Sequence, residues 1–295
     1  MYNLLDVSIT QNENESKAVN EGLDLINASV LFSEDDTVLI VPNWVNSDKP
    51  YPESGITVGP NTLRFIIKWV KNITKNVYVG TGSGGGNTLD VMKKVGYDKV
   101  ISAEKTEFID FNKGPYDILN INHEVIPSLK INKILNKKTK LISFTQLKQH
   151  EEAVMSASIK NVMMSIPSTE EHGTPKKDLG IHDDLHGFIA KMGMNIQIDL
   201  SIISCNPAMV GTGPSKGIPV HTGLVICGNN PICSDIIGAR FLGFKPQAIF
   251  YLYQLEKYFL NDFDINKVNI KGISLRDAEL LFSKKVYSSN IAIDS

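Results

Sequence analysis

Thr37-Val-Leu-Ile-Val41 is a short apolar run of mostly β-branched residues that stops at Pro42-Asn43. Such a continuous run is typical of a strand with both faces buried. Downstream, Thr62-Leu-Arg-Phe-Ile-Ile-Lys-Trp-Val-Lys71 has apolar residues at helical spacing and predicts a helix. Asn76-Val-Tyr-Val79 predicts the next strand, so this part of the chain alternates between strand and helix.

The alternation continues along the chain, with a short predicted helix from Thr88 to Val95 and a predicted strand over Lys99–Ala103. The second half is less regular, with predicted strands at Thr139–Phe144, Leu200–Ser204 and Gly223–Cys227 and predicted helices near Asp183–Met192, Ile232–Leu242 and Gln247–Phe259. This pattern predicts an α/β fold with a layered, largely parallel, Rossmann-like sheet flanked by helices.

One segment, 151–181, fits neither the strand nor the helix period and contains two prolines and two glycines. We predict an irregular insertion here, and long irregular segments in compact domains are more often functional than accidental. With 295 residues, the chain is predicted to form one α/β domain over 1–295. That domain is either undivided or built of two lobes, about 1–140 and 141–295, with the site between them.

Composition argues against several classes of protein. Thirty basic residues and thirty-two acidic ones give a formal net charge of −2, so no nucleic-acid partner is predicted. The chain has neither a signal-peptide pattern nor a membrane-spanning apolar run, so we expect a cytoplasmic protein with no membrane partner. Cys205, Cys227 and Cys233 lack C-x-x-C spacing and predict free thiols. The oligomeric state stays open.

Most side chains that could perform chemistry lie between Lys148 and His186, where four of the six histidines of the chain fall. Histidine titrates nearest neutral pH and is the commonest metal ligand. Lys148 and His150 come shortly after a predicted parallel strand, near the sheet edge where open α/β sheets bind ligands. Ten residues after His150 come Lys160 and Asn161. A lysine here neutralises a substrate carboxylate or phosphate, acts as a base or imine former if burial lowers its pKa, or is simply exposed.

His182 and His186 are four residues apart in a predicted helix, a spacing that places two imidazoles on one face and on one metal. His172 is the third candidate ligand. The alternative is a polar first helical turn in which Asp183 and Asp184 favour the helix dipole.

A glycine-rich turn, Gly80-Thr-Gly-Ser-Gly-Gly-Gly86, follows one predicted strand and opens a helix. Gly82, Ser83 and Gly84 are candidate contacts to an anion or substrate carboxylate, because free backbone N–H groups and the helix dipole attract negative charge. The alternative is a dinucleotide or adenosyl cofactor, with Glu104 at the end of the next strand contacting the ribose. A turn that only permits tight packing is the third interpretation.

Further candidates for anion or substrate binding are Asn43, which ends the first strand, and the loop Gly211-Thr-Gly213-Pro-Ser-Lys216-Gly217. Backbone N–H groups in such a loop, with Lys216 beside them, could form a nest for an anion, although a tight turn between two strands explains it as well. Asp235 near the start of a predicted helix is either a capping acid or a ligand-facing carboxylate.

Several of these motifs together carry a family resemblance. The chain resembles the domain-of-unknown-function 362 family over roughly residues 37 to 272. The matching motifs are Lys148-x-His150 with Ser158-Ile-Lys160-Asn161, Val38-Leu-Ile-Val-Pro-Asn43, Val210-Gly-Thr-Gly-Pro-Ser-Lys-Gly217, Asn230-Pro-Ile-Cys-Ser-Asp235 and Phe241-Leu-Gly-Phe244. The resemblance implies the fold more firmly than an activity.

The chain departs from the pattern of that family at two positions. It has Val41 where the family often has lysine, and Ser204-Cys205 where the family often has aspartate. It also lacks the cysteine-rich iron–sulfur segment of some members. A fainter similarity is to nickel-pincer lactate racemases, in which His150, Lys160 and a later histidine, His172 or His182, would correspond. It indicates the place of the pocket, since the glycine-turn histidine of those racemases is missing here.

The leading functional hypothesis is a cytosolic enzyme that acts on a small anionic metabolite by general acid–base chemistry, with a divalent metal at the three histidines as one option. His150 is the predicted acid or base, Lys148 and Lys160 hold substrate charge, and Asn43 or Asn161 orients the substrate. The alternatives are an oxidoreductase or transferase that uses NAD or an adenosyl cofactor, and a non-catalytic metal-binding or electron-transfer protein.

Overall fold

The computed structural model describes residues 5–261 and 263–291. Its strands, in chain order, are β1 Asp6–Gln11, β2 Thr37–Pro42, β3 Val77–Thr81, β4 Glu107–Asp110, β5 Tyr116–Asn120, β6 Ser128–Asn132, β7 Thr139–His150, β8 Val154–Ser156, β9 Leu200–Val210, β10 Ile218–Val220, β11 Leu224–Gly228 and β12 Asn269–Gly272. Its helices are α1 Glu15–Leu25, α2 Pro60–Lys71, α3 Thr88–Val95, α4 Tyr97–Ala103, α5 Ser158–Ser165, α6 Thr169–His172, α7 Leu185–Asn195, α8 Pro231–Phe241, α9 Phe250–Phe259 and α10 Leu275–Tyr287.

A mixed, mostly parallel sheet forms the centre of the fold, with the strand order β12-β1-β11-β9-β7-β2-β3-β4. The five strands β9, β7, β2, β3 and β4 are parallel to one another, whereas β11 is antiparallel to both β1 and β9. Two short strands extend the sheet, β8 on β7 and β10 on β9, and β5 and β6 form a separate hairpin. The predicted α/β class with a largely parallel sheet is therefore confirmed.

The strand β2 shows why the sheet has helices on both faces. Its side chains alternate between two apolar clusters: Leu39 and Val41 belong to one, Val38 and Ile40 to the other, and all four are completely buried. Burying one such side chain contributes about 1.5–3 kcal/mol. The first cluster takes apolar residues from α5 and α7 to α10, and the second from α1 to α4.

The predicted strand Lys99–Ala103 is wrong, because this segment is part of helix α4. Gly96, with φ at +81°, ends α3 and lets a second helix start at once. Tyr97 and Ile101 are four residues apart and both buried, which is the spacing of one helical face. The strand that pairs with β3 follows α4 in the chain, as β4 at Glu107–Asp110.

The predicted irregular segment 151–181 is mostly regular up to His172, where it forms β8, α5 and α6. The residue at the N-cap of α5 is Ala157, whose side chain cannot accept a hydrogen bond. The buried carboxylate of Asp235 in α8 takes that role, and accepts from the backbone N–H of Ser158 at 2.8 Å and of Ile159 at 3.1 Å. A cap supplied by another helix leaves no local signal at the start of α5, which explains the error.

Across residues 5–261 and 263–291, no helix combines the length and the apolar character needed to cross a bilayer.

Candidate functional site

A cavity of about 300 Å³ lies where β2, β3 and β7 end, at the carboxyl edge of the parallel part of the sheet. Its walls are the segment after β2, the glycine turn after β3, the end of β7, one side of α5 and the segment 175–182. The predicted site residues that line it are Asn43, Gly82, Gly84, His150, Lys160, Asn161 and His182. Ligand sites of open α/β sheets form at this edge.

Lys160 is the only one of the predicted catalytic lysines that lines the cavity. Its side chain is on α5 and only 8% of the residue is exposed. It has neither a hydrogen bond nor an ion pair with any residue that the structure describes. Burial lowers the pKa of Lys160 to about 8, and the nearby Glu152 carboxylate opposes this only in part. Lys160 is therefore a buried cation that lacks a counter-charge.

His150, the last residue of β7, has one ring nitrogen fixed by the turn that follows. Its Nδ1 accepts from the backbone N–H of Glu152 at 3.1 Å and of Ala153 at 3.2 Å. In the neutral ring the hydrogen must therefore be on Nε2. Burial, and then the charges of Lys160 and Lys148, lower the pKa of His150 to about 2. The ring is thus a neutral hydrogen-bond donor, and a role as the initial base does not fit this tautomer.

Lys148 lies beneath the cavity wall and is completely buried. Its ammonium donates to Asn43 Oδ1 at 2.6 Å and to the carbonyl of Gly55 at 3.0 Å. This contact fixes the amide of Asn43, because its oxygen must face the ammonium and its Nδ2 group is then left to donate. Burial lowers the pKa of Lys148 to about 7, with a smaller effect from Lys160. Lys148 therefore positions Asn43 and adds positive charge behind the wall.

The amide of Asn161 is fixed in the opposite sense. Its Nδ2 donates to the carbonyl of Val41 at 2.9 Å and to Ser143 Oγ at 3.1 Å. Both N–H bonds are therefore used, and Oδ1 remains as an acceptor on a residue that lines the cavity. The two asparagines thus present one donor and one acceptor to a ligand.

Lys176 is a wall residue that was not predicted from the sequence. It is 3% exposed, and its Nζ donates to the carbonyls of Gly82 at 2.9 Å, Ser165 at 3.0 Å and Met164 at 3.3 Å. These bonds join the glycine turn to the C-terminal end of α5. Burial lowers the pKa of Lys176 to about 7, and the charge of the Asp110 carboxylate opposes this only in part. In the sequence, Pro-Lys-Lys in a polar segment gives no signal of burial.

The glycine turn has a packing reason for one of its glycines. A Cβ at Gly82 would lie 2.6 Å from the carbonyl oxygen of Ser165 and 3.1 Å from Lys176 Nζ, so a larger residue cannot fit. Ser83 does not line the cavity, and its hydroxyl donates to the carbonyl of Val45. The start of α3 is capped by the side chain of Asn87, which accepts two backbone N–H groups.

The predicted place of Glu104 is wrong. The residue follows the end of α4, not a strand, and its carboxylate pairs with Arg64 and lies 3.8 Å from Lys68. It is not among the residues that line the cavity. The acid that the dinucleotide interpretation required at a strand end is therefore engaged elsewhere.

The three histidines proposed as metal ligands are not brought together. His172 is completely buried, with Nδ1 at 3.2 Å from the carbonyl of Asp178. His186 stacks on Tyr251 and accepts its backbone N–H. Only His182 lines the cavity; it precedes α7 rather than sharing a helical face with His186. Among residues 5–261 and 263–291, no group of three or more His, Cys, Asp or Glu side chains could hold a metal ion.

The rim of the cavity has a carboxylate that is already paired. Glu152 Oε1 lies 3.1 Å from Lys177 Nζ, and its Oε2 lies 2.6 Å from His182 Nδ1. These contacts lower the pKa of Glu152 and connect the turn after β7 to the segment 175–182. Glu152 was not predicted, although it lies two residues after His150, which was.

The remaining predicted anion contacts lie outside the cavity. Gly211, Gly213 and Lys216 are in the connection between β9 and β10, and Lys216 is exposed. Their neighbours Pro214 and Ser215 do reach the cavity wall. Asp235 is completely buried as the cap of α5, and burial raises its pKa to about 7.

Comparison with known proteins agrees with the family motifs. A thylakoid-associated protein of Synechocystis sp. (strain ATCC 27184 / PCC 6803 / Kazusa) is 23% identical over 231 residues, which cover 77% of this chain and 69% of that protein. The similarity to nickel-pincer lactate racemases gains no support from these matches. The sequence profile described as "Domain of unknown function (DUF362)" matches residues 38–240, which include β2, β7, α5 and the cavity. The chain therefore belongs to the DUF362 family.

Proposed function

We propose that this protein is an enzyme that acts on a small anionic metabolite by general acid–base chemistry. One observation carries the proposal: Lys160 is 8% exposed, lines the cavity and has no hydrogen-bond or ion-pair partner among the described residues. A buried ammonium without a partner is costly, and a protein tolerates such a cost mainly where a ligand supplies the missing charge. A negatively charged substrate does so.

The chemistry follows from the two groups that face the substrate. A lysine with a pKa of about 8 exchanges a proton near neutral pH, as a general acid or base must. Beside it, the neutral His150 ring donates its Nε2 hydrogen to an oxygen on which negative charge develops. Lys160 thus takes or gives the proton, and His150 stabilises the oxyanion. This assignment modifies the expected role of His150, which was acid or base.

The other polar groups orient the substrate. Asn43 presents its amide N–H groups and Asn161 its amide oxygen, and both are fixed by buried contacts. Lys148 and Lys176 contact other protein groups and add positive charge around the cavity. A site whose donors are fixed before the substrate binds needs no reorganisation during the reaction.

Turnover of a panel of small hydroxy, keto and phosphorylated acids tests the proposal, with proton exchange between substrate carbon and deuterated water as the readout. Lys160→Met and His150→Asn should each lower the rate of exchange by at least about 100-fold, the usual contribution of a positioned acid or base. Lys216→Met, which removes an exposed lysine outside the cavity, is the matched control. Exchange that survives Lys160→Met unchanged would refute the assignment.

We also propose a cytoplasmic location. Cys205, Cys227 and Cys233 are all free and buried, which suits a reducing compartment. The Synechocystis relative is thylakoid-associated by name, so cell fractionation is the deciding measurement. Recovery with washed membranes would contradict this part of the proposal.

A further inference from the structure

Three buried lysines surround the cavity, and none of them has a carboxylate partner. Lys148, Lys160 and Lys176 are between 0% and 8% exposed. Within the described part of the chain, no carboxylate oxygen lies within 4.0 Å of any of their ammonium groups. Lys148 and Lys176 contact only neutral oxygens, and Lys160 contacts none. Two carboxylates line the cavity: Glu152 is already paired with Lys177 and His182, and Glu151 is exposed.

This arrangement leaves an excess of positive charge that one negative charge does not balance. Charges this deeply buried interact more strongly than charges in water, so the excess selects for anions of matching charge. A bound anion favours the ammonium forms of Lys148 and Lys176 and raises their pKa above the value of about 7 that burial gives them. These two ammonium groups then leave two positive charges when Lys160 is neutral, as its role as a base requires. A ligand with two negative charges balances them.

The hydrogen-bonding groups add a second requirement. Lys160, Asn43 Nδ2 and His150 Nε2 are donors and suit the oxygens of an anion. Asn161 Oδ1 is an acceptor on a residue that is only 5% exposed, and an anion bound against it would be repelled. Its natural partner is a hydroxyl group, because a buried acceptor that is left unpaired costs free energy. The cavity of about 300 Å³ is at the lower end of the range for ligand pockets.

We infer that the ligand of this cavity is a small organic dianion, a dicarboxylate or a phosphate monoester, that also carries a hydroxyl group bound by Asn161. The inference rests on the proposed function and narrows its substrate class. A dicarboxylate and a phosphate monoester share the same chemistry, because each places two negative charges near Lys160 and Asn43 and can carry a hydroxyl group beside them. The experiment below distinguishes them.

Isothermal titration calorimetry with two matched ligand pairs tests each requirement. The first pair is the dicarboxylates malate, which has a hydroxyl group, and succinate, which lacks it. The second pair is the phosphate monoesters glycerol 3-phosphate, which has hydroxyl groups, and n-propyl phosphate, which has none. Lactate has a hydroxyl group but only one negative charge, so it tests the charge requirement. We expect the hydroxylated member of one pair to bind at least about tenfold more tightly than its partner and than lactate, since an unpaired buried acceptor costs about 1.4 kcal/mol or more. The pair that shows this difference identifies the ligand as a dicarboxylate or as a phosphate monoester.

Asn43→Asp is a sharp variant for the same experiment. It keeps the oxygen that accepts from Lys148, so the fold is retained, but it replaces the donor in the cavity by a second oxygen and a negative charge. Binding of the preferred dianion should fall at least about 100-fold, because one donor is lost and a repulsive charge is gained. Circular dichroism confirms that the variant is folded.

Three outcomes would overturn the inference while the proposed function survives. If lactate binds as tightly as the best dianion, the charge requirement is wrong; if succinate and n-propyl phosphate match their partners, the hydroxyl requirement is wrong. Failure of all five ligands to bind also overturns it. The proposed function fails separately, when Lys160→Met retains full proton exchange on the panel of acids.

Discussion

Replacing Lys160 by methionine should make the unliganded protein more stable. The pKa of Lys160 is lowered from the usual 10.5 to about 8, so the folded protein disfavours the ammonium by about 3 kcal/mol at pH 7. Methionine removes the charge and keeps a chain of similar length. Since the cavity admits some water to a residue that is 8% exposed, we expect a net gain of about 2 kcal/mol in the free energy of unfolding. For a chain of this size the gain corresponds to roughly 4 °C in Tm.

The sign of the pH dependence gives a stricter test. Below pH 8 the ammonium is charged in both states and the cost to the folded wild-type protein is complete. Between about pH 8 and 10.5 the folded protein loses this proton before the unfolded chain does, so the cost fades. The stability advantage of Lys160→Met should therefore be largest at pH 7 and should almost vanish at pH 10.5.

Urea denaturation of the wild type, Lys160→Met and the control Lys216→Met at several pH values between 7 and 10.5 measures this difference. Lys216 is exposed and outside the cavity, so its replacement should change stability by less than about 0.5 kcal/mol. Lower stability of Lys160→Met at pH 7, or an advantage that is independent of pH, would show that Lys160 has a partner in solution, and the assignment of the site would fail.

Three further variants test neighbouring parts of the site. His150→Asn offers an amide oxygen in place of Nδ1 to the two backbone N–H groups of the turn, so circular dichroism should show a normal fold. Turnover should fall at least about 100-fold, and full activity would exclude Nε2 as a donor to the substrate. Lys176→Met leaves three carbonyls without their donor and should lower the free energy of unfolding, measured by urea titration, by about 2–4 kcal/mol. A loss below about 0.5 kcal/mol would contradict the role of Lys176 in joining the glycine turn to α5. Asp235→Asn removes one of two acceptors for the start of α5 and should cost about 1–3 kcal/mol at pH 8, measured by thermal denaturation; unchanged stability would mean that water caps this helix.

Local sequence patterns were sufficient where a residue interacts with its near neighbours. The alternation of apolar runs in Val38–Val41 places side chains on both faces of a sheet whatever lies elsewhere in the chain, and this prediction is confirmed. The helix Thr88–Val95 agrees with the structure at both ends, because its asparagine cap and the glycine that follows it are local signals. The strand predicted over Lys99–Ala103 failed because a run of five residues fits both periods, and only the packing of Tyr97 and Ile101 decides between them.

The place of the site could be predicted in part. Lys148, His150 and Asn43 were assigned to strand ends, and the fold class alone requires that the ends of parallel strands share one edge. Lys160 could be singled out by its motif, but nothing in the sequence distinguishes its unpartnered ammonium from that of Lys148, which contacts Asn43 and Gly55. Those contacts depend on where distant segments cross the sheet.

The sequence by itself determined the class of fold, the edge of the sheet that carries the polar residues and the motifs of the family. Periodicity and strand ends are local properties, so they can be read without the rest of the chain. Only the tertiary structure decided that Lys176 is buried beside Gly82, that Glu104 and His186 lie elsewhere, and which atoms of Asn43 and Asn161 can meet a ligand. The charge, tautomer and orientation of a side chain depend on burial and on partners from distant segments, and folding alone brings these together.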